Sequence, residues 1–169
     1  GDGRRPEDWA AAGVRFVGEL PSEAEIGRQA ADRALARLGS TKADSAVLPM
    51  AVDNRAAGRL VGALLGPLQG QAIQQKRSFL EGKLGAVVGS ERLTLIDDPL
   101  VVKGLASRLF DGEGLAARRM PVFEKGVMKT YFIDPYYGRK LWEATTTGGS
   151  SNGAWALGDK AQAALLACP

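Results

Sequence analysis

The spacing of apolar residues changes along this chain, from helical recurrence in the first half to alternation after Arg92. Ile26, Ala30, Ala34 and Leu38 recur every four residues with Leu35 beside them, which predicts one amphipathic helix. Ser22 and Glu25 form a capping box at its start, worth about 1 kcal/mol. Gly39 stands where a left-handed residue ends such a helix. Upstream, residues 13–20 alternate weakly (Val14, Phe16 and Leu20 against Arg15 and Glu19) and predict a strand. Residues 46–52 predict a short apolar strand, at an edge because Pro49 lacks an amide. Asp53 is expected to cap a second helix carrying Ala57, Leu60, Val61, Leu64 and Leu65 on one face. Gly66-Pro67 should end it. Residues 69–77 are polar and helix-compatible, with a further turn at Phe79, Leu80 and Leu84.

From Arg92 the period is two. Residues 92–96 predict a strand closed by the turn Asp97-Asp98-Pro99, and residues 105–110 another, ending at Asp111-Gly112-Glu113-Gly114. Residues 119–123 and 127–133 predict a β-hairpin around Glu124-Lys125-Gly126, with Gly126 supplying the positive φ of the turn. Residues 136–142 should be helical, 145–153 a polar loop, 155–157 a last short strand, and the apolar run 161–167 the start of a helix. Helices followed by mainly antiparallel strands make the expected fold class α+β.

With 169 residues the chain is long enough for a core without disulfides or metal. Two features of its composition exclude chemistry. It has no histidine, which removes any Ser–His triad, histidine general base or histidine-ligated zinc within the chain. Its one cysteine, Cys168, allows neither an intrachain disulfide nor a cysteine cage, and fits a reducing, cytoplasmic setting. The net charge of +3 and pI near 9.2 invite a nucleic-acid reading. The basic residues, however, fall in separate doublets (Arg4-Arg5, Lys76-Arg77, Arg118-Arg119, Arg139-Lys140), which read as solvated faces. No stretch is long and apolar enough to span a bilayer, and no secretory signal is visible. From a start without methionine and an end inside an apolar run, the expectation is an excerpt of a longer protein or a processed one.

Candidate chemistry is sparse. Asp97, Asp98, Asp111 and Glu113 offer oxygens to a hard cation, but without the spacing of a calcium loop, and they read as turns. The aromatic group Tyr131, Phe132, Tyr136, Tyr137 and Trp142 suits a core better than a base-stacking platform. Lys76 with Ser78 is the conceivable serine–lysine pair, and surface hydroxyls are the plainer reading. Thr145, Thr146, Thr147, Gly148, Gly149, Ser150 and Asn152 present hydroxyls and amides to an anion or a peptide backbone, or else form a mobile linker.

An ordered series of short matches carries a resemblance. Ser78-Phe79-Leu80, Leu84-Gly85, Leu93-Thr94-Leu95, residues 103–107, Phe110-Asp111-Gly112-Glu113-Gly114 and Gly126-Val127-Met128 are similar to the PmbA (TldE) branch of the TldD/PmbA family. That family was formerly called "modulator of DNA gyrase". The helix before Gly39, Tyr137-Gly138-Arg139-Lys140-Leu141 and Thr145-Thr146-Thr147-Gly148 fit the same pattern. The resemblance covers nearly the whole chain as the middle of a longer member. It implies residues 1–40 as the end of an N-terminal α/β domain and 41–169 as the start of a strand-rich C-terminal domain.

It also implies a zinc-dependent protease complex acting on unfolded or flexible peptides, including antitoxins and peptide precursors. In that complex a TldD-type subunit carries a His-Glu-x-x-x-His helix and a PmbA-type subunit pairs with it. Alignment by order places Val61 and Gly66 at the two ligand positions and Gly62 at the catalytic glutamate. None of them has a donor side chain, so the expectation is a partner subunit without catalytic residues or cofactor of its own. Zinc is then expected in a TldD-type partner, self-association being the other mode of assembly. Neither nucleic acid nor membrane is an expected partner. Two alternatives stand beside this reading: a nucleic-acid or gyrase-associated binding protein, and a homomeric peptidase whose metal site lies outside this segment.

Overall fold

The computed structural model describes residues 5–167, which leaves Arg4 and Cys168 outside the described residues. It divides into two units, one ending at Pro49 and one beginning at Met50.

The first unit is built around α1 (Glu23–Leu35). Ser22 Oγ accepts from the Glu25 amide at 3.3 Å, and Glu25 Oε2 accepts from the Ser22 amide at 3.4 Å, so the capping box forms in both directions. The helix stops three residues before Leu38, and Gly39 follows at φ +71°. Arg33 and Arg37 reach the carbonyls of Trp9 and Glu7, both at 2.8 Å. No described residue of this unit is fully buried. The strand expected over 13–20 is a 3-10 turn, Val17–Glu19. Alternation alone does not make a strand: an extended segment needs a neighbour for its amides, and no described residue of this unit forms one. Residues 46–52, which bridge the unit boundary, are likewise not a strand, and Val47, Leu48 and Met50 are exposed.

The second unit opens with α2 (Asn54–Leu65), capped by Asp53 Oδ1, which accepts from the Arg55 amide at 2.9 Å. A 3-10 turn over Gly66–Leu68 follows, with Pro67 inside it, and then α3 (Gly70–Gln74). The sheet has four antiparallel strands in the order β3-β2-β1-β4: β1 (Leu95–Asp97), β2 (Met120–Glu124), β3 (Val127–Met128) and β4 (Gly153–Trp155). α4 (Pro135–Leu141) lies between β3 and β4 in sequence, and α5 (Gln162–Leu166) ends the described chain.

The expected hairpin is β2–β3, with Lys125 at φ 48° and Gly126 at φ 78°, the pair of positive angles that matches strand twist. Its second strand is only two residues long. The strand expected over 92–96 begins three residues later, and Asp97 is its last residue, buried rather than turning. Residues 105–110 form turns with an isolated bridge from Phe110 to Ala116, not a strand. In the turn that follows, Gly114 is at φ +79°.

The core lies in this second unit. Leu68, Leu95, Val122, Phe123, Met128 and Phe132 are its most enclosed side chains, with Leu64, Leu65 and Tyr137 packed against them. Tyr131 is buried with its hydroxyl donating to the Leu80 carbonyl at 2.6 Å, which ties the long segment before β1 onto the core. The aromatic group thus divides: Tyr131 and Phe132 are core, whereas Tyr136 and Trp142 are exposed. Among the described residues no helix is long and apolar enough to cross a membrane.

Candidate functional site

The loop before β4 is an ordered brace rather than a free tip, because its polar groups find partners between 13 and 54 residues upstream. Thr146 Oγ1 donates to the Tyr131 carbonyl at 2.6 Å and accepts from the Ile133 amide at 2.9 Å. Asn152 Oδ1 accepts from the Ala106 amide at 3.0 Å; its Nδ2 donates to the Asp98 carbonyl at 3.0 Å and to Ser107 Oγ at 2.9 Å. Arg108 Nη2 donates to the Gly149 carbonyl at 2.7 Å and to Thr147 Oγ1 at 3.3 Å. These bonds hold the turns after β1 against the loop leading into β4. That is why residues 105–110 need no strand partner.

Asp111 sits at the outer end of this network. Its Oδ1 accepts from the Glu113 and Leu115 amides, both at 3.0 Å, and its Oδ2 from Thr147 Oγ1 at 3.3 Å. Desolvation pushes its carboxyl upward, but the amides of Leu115 and Glu113, the Thr147 hydroxyl and the Gly148 amide together outweigh it. The group is held below the usual carboxylate range. An open hollow of about 380 Å³ is lined by Arg108, Asp111, Glu113, Asp134, Gly148 and Gly149.

A second cavity, of about 290 Å³, is lined by residues of α2 (Val61, Leu65), the sheet (Leu95, Asp97, Val122, Gly153, Trp155), Phe132, and the loop residues Ser150 and Ser151. Asp97 is 2% exposed, and its Oδ1 accepts from the Ser151 amide at 2.5 Å. The Ser151 hydroxyl is enclosed and has no hydrogen-bond partner.

The sequence-expected residues therefore separate by role. Thr146, Thr147 and Asn152 direct their side chains into the brace. Thr145 packs at the back of α4, where a side chain at Gly138 would meet its Oγ1. Gly148 and Gly149 line the outer hollow, and Ser150 lines the cavity. Asp97, weighed in the sequence as a cation ligand but read as a turn, shares that cavity with Ser151. Ser78 is not set up as a nucleophile: its hydroxyl donates to the Pro67 carbonyl at 2.6 Å, while Lys76 pairs with Glu81.

On α2, Val61 is half-buried at the cavity wall, while Gly62 and Gly66 are exposed, and a Cβ added at either would meet nothing within 4 Å. Space for larger side chains is present, but neither valine nor glycine donates an electron pair to a metal. Among the described residues no three His, Cys, Asp or Glu side chains come together to hold an ion. This helix does not fit a zinc ion.

Comparison with known proteins places the chain. Residues 45–163 match the family described as PmbA/TldA metallopeptidase C-terminal domain. "Metalloprotease PmbA" of Escherichia coli O157:H7 is 31% identical over 153 residues, covering 89% of this chain and 34% of that protein. Two crystal structures named as modulators of DNA gyrase share the fold. The one from Bacteroides thetaiotaomicron has a TM-score of 0.85 at 40% identity, over 90% of this chain and 35% of its own. The one from Thermotoga maritima has a TM-score of 0.81 at 32% identity, over 90% of this chain and 37% of its own. The chain thus spans about a third of the length of the relatives it matches. With the helix-then-antiparallel-sheet architecture and the match over most of its length, this chain belongs to the PmbA/TldD metallopeptidase family.

Proposed function

We propose that this chain is part of a PmbA/TldE-type subunit that does not itself cleave peptides but completes a proteolytic chamber with a TldD-type partner. The observation that carries the proposal is that α2 and its C-cap bear Val61, Gly62 and Gly66, without a donor side chain, where order along the chain sets them against the metal motif. Bound zinc in a partner would polarise the scissile carbonyl and lower the pKa of a water; this chain's contribution is to receive and orient the peptide. Strand β4 supports that role. It pairs with β1 on one side, its three residues are exposed, and among the described residues no strand pairs with its other side. An extended, unfolded peptide can add there as a further strand through backbone hydrogen bonds. The loop through Gly148, Gly149 and Ser150 lies immediately upstream and supplies further polar contacts. The cytoplasm is the proposed location, on the strength of a sequence with a single cysteine.

The test is metal analysis and peptidase assay of the intact protein, alone and after co-purification with a TldD-type chain. Zinc and activity are expected in the pair only. Stoichiometric zinc with activity in the isolated protein would overturn the non-catalytic reading and favour a homomeric peptidase with its metal site elsewhere.

A further inference from the structure

We propose that the cavity beside Val61 is a subsite for one lysine or arginine side chain of an extended peptide. The proposal rests on the peptide-receiving role above. Asp97 at this cavity is a carboxylate withdrawn from water, a costly state unless a donor or cation answers it. One of its oxygens accepts from the Ser151 amide, and among the described residues no cation pairs with it. The Ser151 hydroxyl beside it is enclosed and unpartnered. Buried polar groups are almost always satisfied, so the unpartnered Ser151 hydroxyl beside a buried carboxylate marks the place where a ligand supplies what the fold withholds.

The walls specify the ligand's shape. Val61, Leu65 and Trp155 line the cavity with apolar surface. A group that reaches Asp97 and Ser151 must therefore carry N–H donors and positive charge at the end of a hydrocarbon stem, which describes lysine and arginine. At about 290 Å³ the space is near the lower end of ligand pockets, suited to one side chain rather than a whole small molecule. Its position fits too. Gly153 and Trp155 of β4 line it, so a peptide added along that strand presents alternate side chains at its mouth. On its other flank Asp97 borders a gap of about 10 Å³ with Arg108 and Arg118, room for one water at most. Arg108 Nη2 is engaged by Gly149 and Thr147, while its Nε is buried without a hydrogen-bond partner and makes no ion pair with Asp97.

Fluorescence anisotropy on the intact protein, with its TldD-type partner where the two co-purify, tests this. The probes are two labelled flexible peptides differing only at one central residue, lysine or norleucine. The lysine peptide is expected to bind roughly tenfold to a hundredfold more tightly, the scale of a hydrogen-bonded charge. Asp97→Asn should abolish that difference while sparing the norleucine peptide, and Ser151→Ala should reduce it severalfold. Equal binding of both peptides by the unaltered protein overturns the subsite without needing any variant to fold, and leaves the peptide-receiving role standing. An undiminished lysine preference in Asp97→Asn likewise overturns the subsite, pointing to Asp97 being answered across the gap by Arg108. Binding of neither peptide removes the peptide-receiving role and the subsite with it.

Discussion

Thr146 and Ile133 exchange two hydrogen bonds: the Thr146 amide donates to the Ile133 carbonyl at 2.8 Å, and the Ile133 amide donates to Thr146 Oγ1 at 2.9 Å. The same hydroxyl donates to the Tyr131 carbonyl at 2.6 Å. Tyr131 and Ile133 are core residues, so water cannot readily replace these bonds. Thr146→Val keeps the side-chain shape but leaves a buried amide and a buried carbonyl each short of a partner. Each such loss costs about 1–3 kcal/mol, so a destabilisation of roughly 2–4 kcal/mol is expected. Thr146→Ser, which keeps the hydroxyl, should recover most of it. Urea midpoints of the three proteins decide the matter; equal midpoints for the valine variant and the unaltered chain would refute the brace.

The brace also explains what was legible in the sequence and what was not. The Ser22 capping box, the Asp53 cap, the Gly126 turn and α4 were readable because their causes lie within a few residues of each other. Asn152 acts on Ala106 across forty-six residues, and no local pattern announces such a bond. The alternating apolar residues of 105–110 therefore looked like a strand, although this distant amide fixes them as turns. The register of β1 is set by β2 on one side and β4 on the other, which carries Asp97 past the expected strand end into the buried row. Its position beside Ser151 is a product of that pairing, and so the cavity could not be read from spacing. The lack of a metal-donor side chain at Val61, Gly62 and Gly66 is different in kind. It follows from residue identity alone and was visible before any fold was known.

Asp111 makes the stability of this region depend on acid. Its folded-state carboxyl lies below the unfolded value near 3.8, so its ionised form contributes stability fully above that value. The contribution fades as pH falls through the lower, folded value, where the group protonates in both states. Asp111→Asn retains an oxygen for the Glu113 and Leu115 amides but never ionises. The unaltered protein should therefore exceed this variant in stability at neutral pH, with the gap closing as pH drops below about 4. Denaturation midpoints of both proteins across this range are the measurement. A gap that stays constant into strong acid would assign the effect to shape rather than charge.

Gly126 is required twice over. Its φ of +78° strains any residue with a Cβ, and that Cβ would run into the carbonyl of Gly89 and lie 2.8 Å from the carbonyl of Ser90. Both obstacles are backbone, held by the bonds from Val88 to the Gly126 carbonyl and from Gly126 to the Leu93 carbonyl, each 2.8 Å. Gly126→Ala must bend the hairpin or the segment beside it, at a cost of roughly 2 kcal/mol or more. A lowered thermal midpoint is expected, and an unchanged one would mean that the turn relaxes freely.

The glycines of α2 predict the opposite sign. Gly58 and Gly62 lie inside a helix, both are exposed, and a Cβ at either meets nothing within 4 Å. Glycine there leaves the unfolded chain more freedom and the helix no compensating contact, so Gly58→Ala and Gly62→Ala should each stabilise by about 0.5–1 kcal/mol. Being four residues apart on one helix and filling open space, the two should add nearly fully. The measurement has a second use when repeated on the protein bound to a TldD-type chain. A gain in the isolated protein that becomes a loss of co-purification in Gly62→Ala would place that bare helix face against the partner. A gain that persists in the complex would show the face still open to solvent there.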